Sequence, residues 1–159
     1  MTLRRIIQRG LYFEELEEDV VYVHSPSRTV TEADNVLFTT LTMNTQSLHL
    51  DEEWSKQTEF GERLINSLFT LSTLVGSSVA QLTQGTIVAN LGFEKVSFPA
   101  PLRAGDTMTS ETRVLLKRLS KSRTGQGIAE FEHTARNQHG DIVAIAIRST
   151  LMLCVPKEV

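Results

Sequence analysis

The chain has 159 residues, of which 40% are apolar and 22% are charged, and its formal net charge is −3. This length and composition predict one globular domain over residues 1–159, long enough to bury a hydrophobic core. The weak negative charge gives no overall attraction for nucleic acid or for an anionic membrane, so neither is expected as a partner.

Nothing in the sequence directs the chain out of the cytoplasm. The N-terminal stretch "MTLRRIIQRGLYF" lacks an apolar run of signal-peptide length. Residues 64–80 are uncharged, but they contain too many hydroxyl and amide groups for a membrane span. The single cysteine, Cys154, cannot form an internal disulfide, and we expect it to be a buried structural thiol. A cytoplasmic location is therefore predicted.

Helical spacing dominates from Thr31 to about Leu82. In "TEADNVLFTTLTM", with Thr29 or Thr31 as N-cap, four apolar residues share one side of a helix and are expected to face the core: Ala33, Val36, Leu37 and Leu41. A polar turn follows, and "LDEEWSKQ" predicts a short helix with Asp51 at or near its N-cap.

A long helix is predicted from Leu64, ending near Gly85. One apolar stripe runs along it and is expected to be its buried side: Leu64, Leu68, Leu71, Val75, Val79 and Leu82.

The second half of the chain predicts four long strands, "TIVANLGFEKVSF", "TMTSETRVLLKRL", "GIAEFEHTARN" and "IVAIAIRSTLML". The third strand alternates with a period of two, so that one side carries Ala129, Phe131, His133 and Ala135. The last strand is apolar on both sides and should lie inside the sheet. An α+β architecture follows, with an antiparallel sheet wrapped around the long helix and an edge strand available to a second subunit.

Polar residues cluster in "LTMNTQSLHLDEEW", where His49 stands beside Asn44, Gln46 and Ser47. A histidine here is either a loop residue satisfied by backbone groups or a general base with an amide partner. The acids that follow His49 are explained as helix-start charges rather than metal ligands, so no metal is expected.

Two further features are open to both structural and functional interpretations. Asn66 and Ser67 are either ordinary polar residues of a helix start or mark N–H groups that bind a carbonyl oxygen as it gains charge. A basic cluster in "LKRLSKSR" is either simply solvated or binds a phosphate-bearing ligand; its members are Lys117, Arg118, Lys121 and Arg123.

Taken in order, these segments resemble the MaoC-like dehydratase family of the hot dog fold. The resemblance runs from "GLYFEEL" through "RTVTEADNVLF", "TQSLHLDEEW", "TEFGERLINSLFTLS" and "VSFPAPLRAGDTM" to the last strand. It implies a long helix wrapped by an antiparallel sheet, dimers or dimers of dimers, and no cofactor beyond coenzyme A as part of the substrate. The implied reaction adds water to, or removes it from, 2-enoyl or 3-hydroxyacyl thioesters of coenzyme A.

The family motif, Asp-x-Asn-Pro-hydrophobic-His followed by Phe-Gly and His-Gly, places its roles on particular residues here. His49 falls on the histidine and Asn44 on the aspartate, which implies that His49 transfers protons and that Asn44 only orients water. The backbone N–H of Ser67 would polarise the thioester carbonyl. The remaining matched positions are expected to contact substrate: Gln46, Ser47, Phe60, Gly61 and Asn66. The basic cluster would bind the coenzyme A phosphates, across a dimer interface if need be.

Three functional hypotheses follow from the resemblance. The first is an acyl-CoA hydratase or dehydratase of the β-methylmalyl-CoA or mesaconyl-CoA type, in which Arg28, Arg63 or Arg103 could pair with a distal carboxylate. The second is a hot dog thioesterase that uses Glu59 or Glu62. The third is a non-catalytic acyl-CoA-binding protein that has lost the aspartate.

Overall fold

A five-stranded antiparallel sheet and the helices between its first two strands make up the computed structural model, which describes residues 3–157. The strands are β1 (Val21–Thr29), β2 (Ile87–Ser97), β3 (Thr107–Leu119), β4 (Gln126–Arg136) and β5 (Ile142–Leu153), in the spatial order β1-β3-β4-β5-β2. The helices are α1 (Glu32–Leu41), α2 (Ser47–Leu50), α3 (Glu52–Ser55) and α4 (Ser67–Ser78). Across residues 3–157, every helix falls short of the length and apolarity required to cross a membrane.

The four predicted strands are confirmed, and the predicted α+β class with them. Every second residue of β4 is buried, including the four predicted to share one side. As expected, β5 lies between β4 and β2. The fifth strand, β1, is missing from the sequence-based prediction. It is an edge strand paired only with β3, and His24 is its one buried residue. Because so little of it is buried, it carries no alternating apolar pattern.

The central helix differs from the prediction in its start and in its buried side. It begins at Ser67 rather than Leu64, because the side chain of Asn66 accepts a hydrogen bond from the N–H of Leu68 (3.0 Å) and caps the helix. A π-helical turn, Val79–Thr83, extends it toward Gly85. Leu68, predicted to be buried, is 53% exposed. Leu64 and Leu82 of the predicted stripe are buried, at 7% and 0% exposure, and the buried residues of α4 itself are Phe69, Thr70, Leu74 and Ser78.

Helix α1 also turns a different side inward. Thr31 is its N-cap, as predicted, and accepts a hydrogen bond from the N–H of Asp34 (3.2 Å). The predicted apolar side is wrong, since Leu37 is 61% exposed and Leu41 74% exposed. The buried residues are Asn35 and Thr39, at 1% and 0% exposure. The inner side of α1 therefore packs through polar groups.

One end of the sheet is closed by the N-terminal segment. The backbone of Gly10 donates to Gln84 (2.7 Å), and the ring of Phe13 lies against Gly127, where an added Cβ would come within 2.3 Å of it. Cys154 lies at this end and is half-buried rather than buried as predicted. Burial and a hydrogen bond with Glu14 raise the pKa of its thiol, which disfavours a nucleophilic role.

A chain of buried polar side chains crosses the inner surface of the sheet. His24 and His133 share the hydroxyl of Thr112 (2.6 and 2.7 Å), and Arg148 donates to Nε2 of His133 (2.9 Å). Burial, together with the charge of Arg148 and the neighbouring His24, lowers the pKa of His133 to about 3. Burial also lowers the pKa of Arg148, to about 10. His133 is therefore neutral in the folded protein near neutral pH.

Replacing Gly127 with alanine should lower the free energy of unfolding by about 1–3 kcal/mol, because the new Cβ overlaps the buried ring of Phe13. Gly76→Ala is the matched control: no atom lies within 4 Å of its new Cβ, and alanine favours a helix interior, so stability should be unchanged or slightly higher. Urea unfolding of both variants tests this. Equal effects of the two substitutions would contradict the packing of Phe13 on Gly127.

Acid should destabilise the fold through His133. Its pKa is about 3 when folded and about 6.5 when unfolded, so the unfolded chain binds the extra proton between these values. The contribution of neutral His133 to the free energy of unfolding is therefore fully present above about pH 6.5 and is lost as the pH falls toward 3. Unfolding free energies measured from pH 7 to pH 4 should show a shallower dependence in His133→Gln than in the wild type. Gln57→Ala, an exposed change that removes no titratable group, should leave the slope unaltered.

Candidate active site

A cleft of about 420 Å³ opens between α2, the start of α4 and the connection from β2 to β3. Its walls are mostly apolar. Its lining comprises Leu48, His49, Phe60, Leu64, Ile65, Ser67, Thr70, Phe98, Pro99, Ala100, Pro101, Leu102 and Val143. His49 is the only one of these lining residues with an ionisable side chain, so any proton transfer to a ligand in this cleft must use it or a group from elsewhere.

The imidazole of His49 is held in one orientation by a backbone carbonyl. Its Nδ1 lies 2.9 Å from the carbonyl oxygen of Leu64. A carbonyl oxygen can only accept, so Nδ1 carries the proton, and in the neutral ring Nε2 has a free lone pair. A base with this tautomer can take a proton through Nε2 while Nδ1 keeps its bond.

The segment that carries His49 is secured from two sides. The N–H of Leu64 donates to the carbonyl of Leu48 (3.1 Å). The side-chain amide of Asn35, on α1, donates to the carbonyls of both His49 and Leu64 (3.1 Å each). The sequence-based prediction of the site does not include Asn35, because that prediction orients α1 by its apolar residues and so does not turn Asn35 inward. The available signal is an amide and a hydroxyl four residues apart, at Asn35 and Thr39, which share one helix side.

At the start of α4, the polar groups of Asn66 are bonded within the fold, whereas Ser67 faces the cleft. The side-chain oxygen of Asn66 accepts from the N–H of Leu68, and its side-chain amide donates to the hydroxyl of Thr39 (3.2 Å). The backbone N–H of Asn66 donates to the side-chain oxygen of Asn35 (2.9 Å). It is 2% exposed and does not line the cleft, so its predicted substrate contact is not seen. Within residues 3–157 the N–H of Ser67 has no partner, and Ser67 does line the cleft. The helix dipole adds partial positive charge there.

Other predicted site residues divide between the cleft and its surroundings. Phe60 lines the cleft, whereas Gly61, Gln46 and Ser47 do not. Asn44 does not line it either, and its side-chain oxygen accepts from the N–H of Gln46 (3.0 Å) in a tight turn that precedes α2. The side-chain NH₂ group of Asn44 and the second lone pair of its oxygen have no partner among residues 3–157.

The basic cluster lies at the opposite end of the sheet. The hairpin between β3 and β4 pairs with the end of β5, whereas the cleft lies by the start of β5. These ends are roughly 35 Å apart at about 3.3 Å per residue. Lys117 is used within its own chain, donating to the carbonyl of Leu16 (2.6 Å). The other three members, Arg118, Lys121 and Arg123, form no ion pair with an acid of residues 3–157.

The three arginines considered for a distal carboxylate all have acidic partners. Arg28 pairs with Asp34, Arg63 with Glu32 (2.8 Å) and Glu52 (3.2 Å), and Arg103 with Glu62 (2.6 Å). None of the three lines the cleft.

The acids considered for a thioesterase are also outside the cleft, since neither Glu59 nor Glu62 lines it. No three His, Cys, Asp or Glu side chains of residues 3–157 are grouped so that they could hold a metal ion.

Comparison with known sequences identifies a family. The model of the MaoC like domain matches residues 15–137. Protein MaoC of Klebsiella aerogenes is 34% identical over 107 residues, 67% of this chain and 31% of the relative. The (R)-specific enoyl-CoA hydratase of Rhodospirillum rubrum is 30% identical over 65% of this chain and 69% of its own. The β-methylmalyl-CoA dehydratase of Chloroflexus aurantiacus is 27% identical over 87% of this chain and 39% of its own. The chain thus spans less than two fifths of the length of two of these relatives, 31% and 39%.

Solved structures give the same architecture. A monoamine oxidase regulatory protein from Archaeoglobus fulgius superposes with a TM-score of 0.84 at 29% identity, covering 95% of this chain and all of the other. A Mycobacterium tuberculosis protein with a double hot dog fold superposes with a TM-score of 0.83 at 21% identity, covering 94% of this chain and 46% of the other. The predicted hot dog fold is confirmed.

Asn66→Ala should lower the free energy of unfolding by about 1–2 kcal/mol, because it removes the N-cap of α4. Asn66→Ser also loses the bond to Thr39 but keeps a neutral acceptor for the N–H groups of the first turn, so it should lose clearly less. Chemical denaturation of the two variants and the wild type measures the difference. A loss as large in Asn66→Ser as in Asn66→Ala would show that the cap is not what Asn66 contributes.

Proposed function

The chain belongs to the MaoC-like domain family, and on that premise we propose that it is a hydro-lyase acting on 2-enoyl and 3-hydroxyacyl thioesters of coenzyme A. The proposal rests on the orientation of the His49 ring and on its position in the cleft. The ring is fixed with Nδ1 on the carbonyl of Leu64, and it lines the same cleft as the free N–H of Ser67. A base and an oxyanion donor in one cleft are what this reaction needs.

In the hydration direction, Nε2 of His49 takes a proton from a water molecule as its oxygen bonds to C3 of the enoyl group. The C2–C3 π electrons move toward the thioester, and the carbonyl oxygen gains negative charge. The N–H of Ser67 donates to that oxygen. The imidazolium then returns its proton to C2, so that water has been added and His49 is neutral again. Dehydration is the reverse sequence.

With an amide at position 44, His49 is the only acid–base group among the described residues that line the cleft. An amide cannot take a proton from water, so Asn44, which does not itself line the cleft, would act only by orienting a water molecule within reach of its side chain. A single imidazole can serve both transfers because the proton taken from water is the one later delivered to C2. Gln46, Ser47 and Gly61 would then support the turn around α2 rather than contact the acyl group.

For the acyl group we propose a short enoyl chain of the β-methylmalyl-CoA or mesaconyl-CoA type. The relative named β-methylmalyl-CoA dehydratase, which matches 87% of this chain, supports that assignment. Because Arg28, Arg63 and Arg103 are each paired with an acid and do not line the cleft, the distal carboxylate of such an acyl group would stay solvated or bind a group other than these three. The proposed place of action is the cytoplasm.

We also propose that two copies assemble along β2, as a homodimer or a dimer of dimers. This edge strand exposes apolar side chains, among them Leu91 and Phe93. Two-fold pairing of β2 with its copy must be antiparallel, which would bring the hairpin end of one subunit beside the cleft end of the other. Arg118, Lys121 and Arg123 of one subunit would then bind the coenzyme A phosphates of a ligand in the other.

His49→Ala should lower kcat by roughly 10²–10⁴-fold, because it removes the group that moves the proton, while the cleft still binds substrate. Loss of enoyl-thioester absorbance, followed with crotonyl-CoA and mesaconyl-CoA, measures turnover. Gln57→Ala, an exposed change outside the cleft, is the control and should retain full activity.

The same assay separates the alternatives. Release of free thiol without hydration would favour a thioesterase. Tight binding of the thioesters without turnover of either would favour a non-catalytic acyl-CoA-binding protein. Full activity in His49→Ala would overturn the assignment of His49.

A further inference from the structure

We propose that Asn35 is a positioning residue: its buried amide holds the segment that carries His49 and the start of α4 at a set distance. This inference deepens the proposed function and rests on it for its kinetic consequences. The tautomer of His49, however, can be measured without turnover. Nothing in the family motif falls on position 35, and Asn35 itself does not line the cleft.

The side chain of Asn35 is 1% exposed, and its hydrogen bonds join three segments. Its amide group donates to the carbonyl of His49, in α2, and to the carbonyl of Leu64, both at 3.1 Å. Its oxygen accepts from the N–H of Asn66, at the start of α4, at 2.9 Å. One planar group thus fixes the positions of two backbone carbonyls and one backbone N–H relative to each other.

Leu64 passes this constraint on to the base. The same carbonyl oxygen accepts from Nδ1 of His49 (2.9 Å) and from Asn35, so its two lone pairs are both used. The position of that oxygen sets the direction of the imidazole ring and hence of Nε2. Because the other side of Asn35 holds Asn66, the residue before Ser67, the proton acceptor and the oxyanion donor are aligned through one side chain.

Thr39 completes the arrangement one helical turn later on α1. Its hydroxyl accepts from the side chain of Asn66 (3.2 Å), and it is fully buried. Residues i and i+4 lie on one side of a helix, so Asn35 and Thr39 form a continuous polar seam facing α4. This explains why α1 buries these residues and exposes Leu37 and Leu41.

Only an amide satisfies all three bonds of Asn35. A leucine of similar size makes none of them. An ionised aspartate keeps the bond from Asn66 but turns an acceptor toward two carbonyls, and only its protonated form can donate to one of them. Asn35→Leu therefore removes all three hydrogen bonds, whereas ionised Asn35→Asp removes only the two that the amide donates to the carbonyls of His49 and Leu64.

The experiment compares Asn35→Leu, Asn35→Asp and the wild type, with Thr150→Val as the matched control. Thr150 is also fully buried and donates to a backbone carbonyl (Ala129, 3.1 Å), but it lies outside the cleft. The readouts are kcat and KM with crotonyl-CoA and mesaconyl-CoA, and the imidazole tautomer of His49 from its ¹⁵N nuclear magnetic resonance shifts.

We expect Asn35→Leu to lose roughly 10²-fold in kcat with a smaller change in KM, as misplacement of a reacting group does. Its His49 signals should shift from the Nδ1–H tautomer toward a mixture. The kcat of Asn35→Asp relative to the wild type should rise as the pH is lowered and the carboxyl regains its proton. Thr150→Val should keep the wild-type kcat and tautomer even if it is less stable.

A wild-type kcat and a single Nδ1–H tautomer in Asn35→Leu would overturn the proposal. If that variant does not fold, a pH-independent activity ratio together with an unchanged tautomer in Asn35→Asp would overturn it instead. If the wild-type protein turns over neither thioester, the proposed function fails while the tautomer comparison still decides the role of Asn35.

Discussion

The carbonyl oxygen of Leu64 is the point on which the arrangement of the cleft depends. It accepts from the imidazole of His49 and from the amide of Asn35, while the N–H of the same residue donates to Leu48. A short extended segment before α4 thus holds a four-residue helix that could not persist alone. The base is precise in position because a neighbouring backbone, rather than its own helix, determines where its ring points.

The strands could be predicted because their burial is periodic and their turns are marked by glycine and polar residues. Helix α1 could not be oriented in the same way, since its apolar residues are largely exposed and Asn35 and Thr39 are buried. Polar residues are buried there because the neighbouring segments present unpaired carbonyl and N–H groups that apolar side chains would leave unsatisfied. That requirement comes from tertiary structure, and its trace in the sequence is the four-residue spacing of Asn35 and Thr39 rather than an apolar period.

The candidate site was predictable only as far as motif positions extend. His49 and Ser67 could be found through the family resemblance, and both line the cleft. Asn66 occupies a motif position too, yet its polar groups serve the helix cap and α1. Spacing along the chain identifies which residues are near a site, but it does not say which atoms are already used by the fold.

The closed end of the sheet has a practical consequence for handling the protein. Gly10, where the N-terminal arm joins the body, and Val155, near the other end of the described chain, are both bonded at the hairpin end of the sheet. The cleft is at the other end. A label or surface attachment at the exposed Lys157, two residues after Val155, would lie at the end of the sheet away from the cleft of the same subunit. Immobilised protein could therefore be probed with acyl thioesters while its cleft faces free solution.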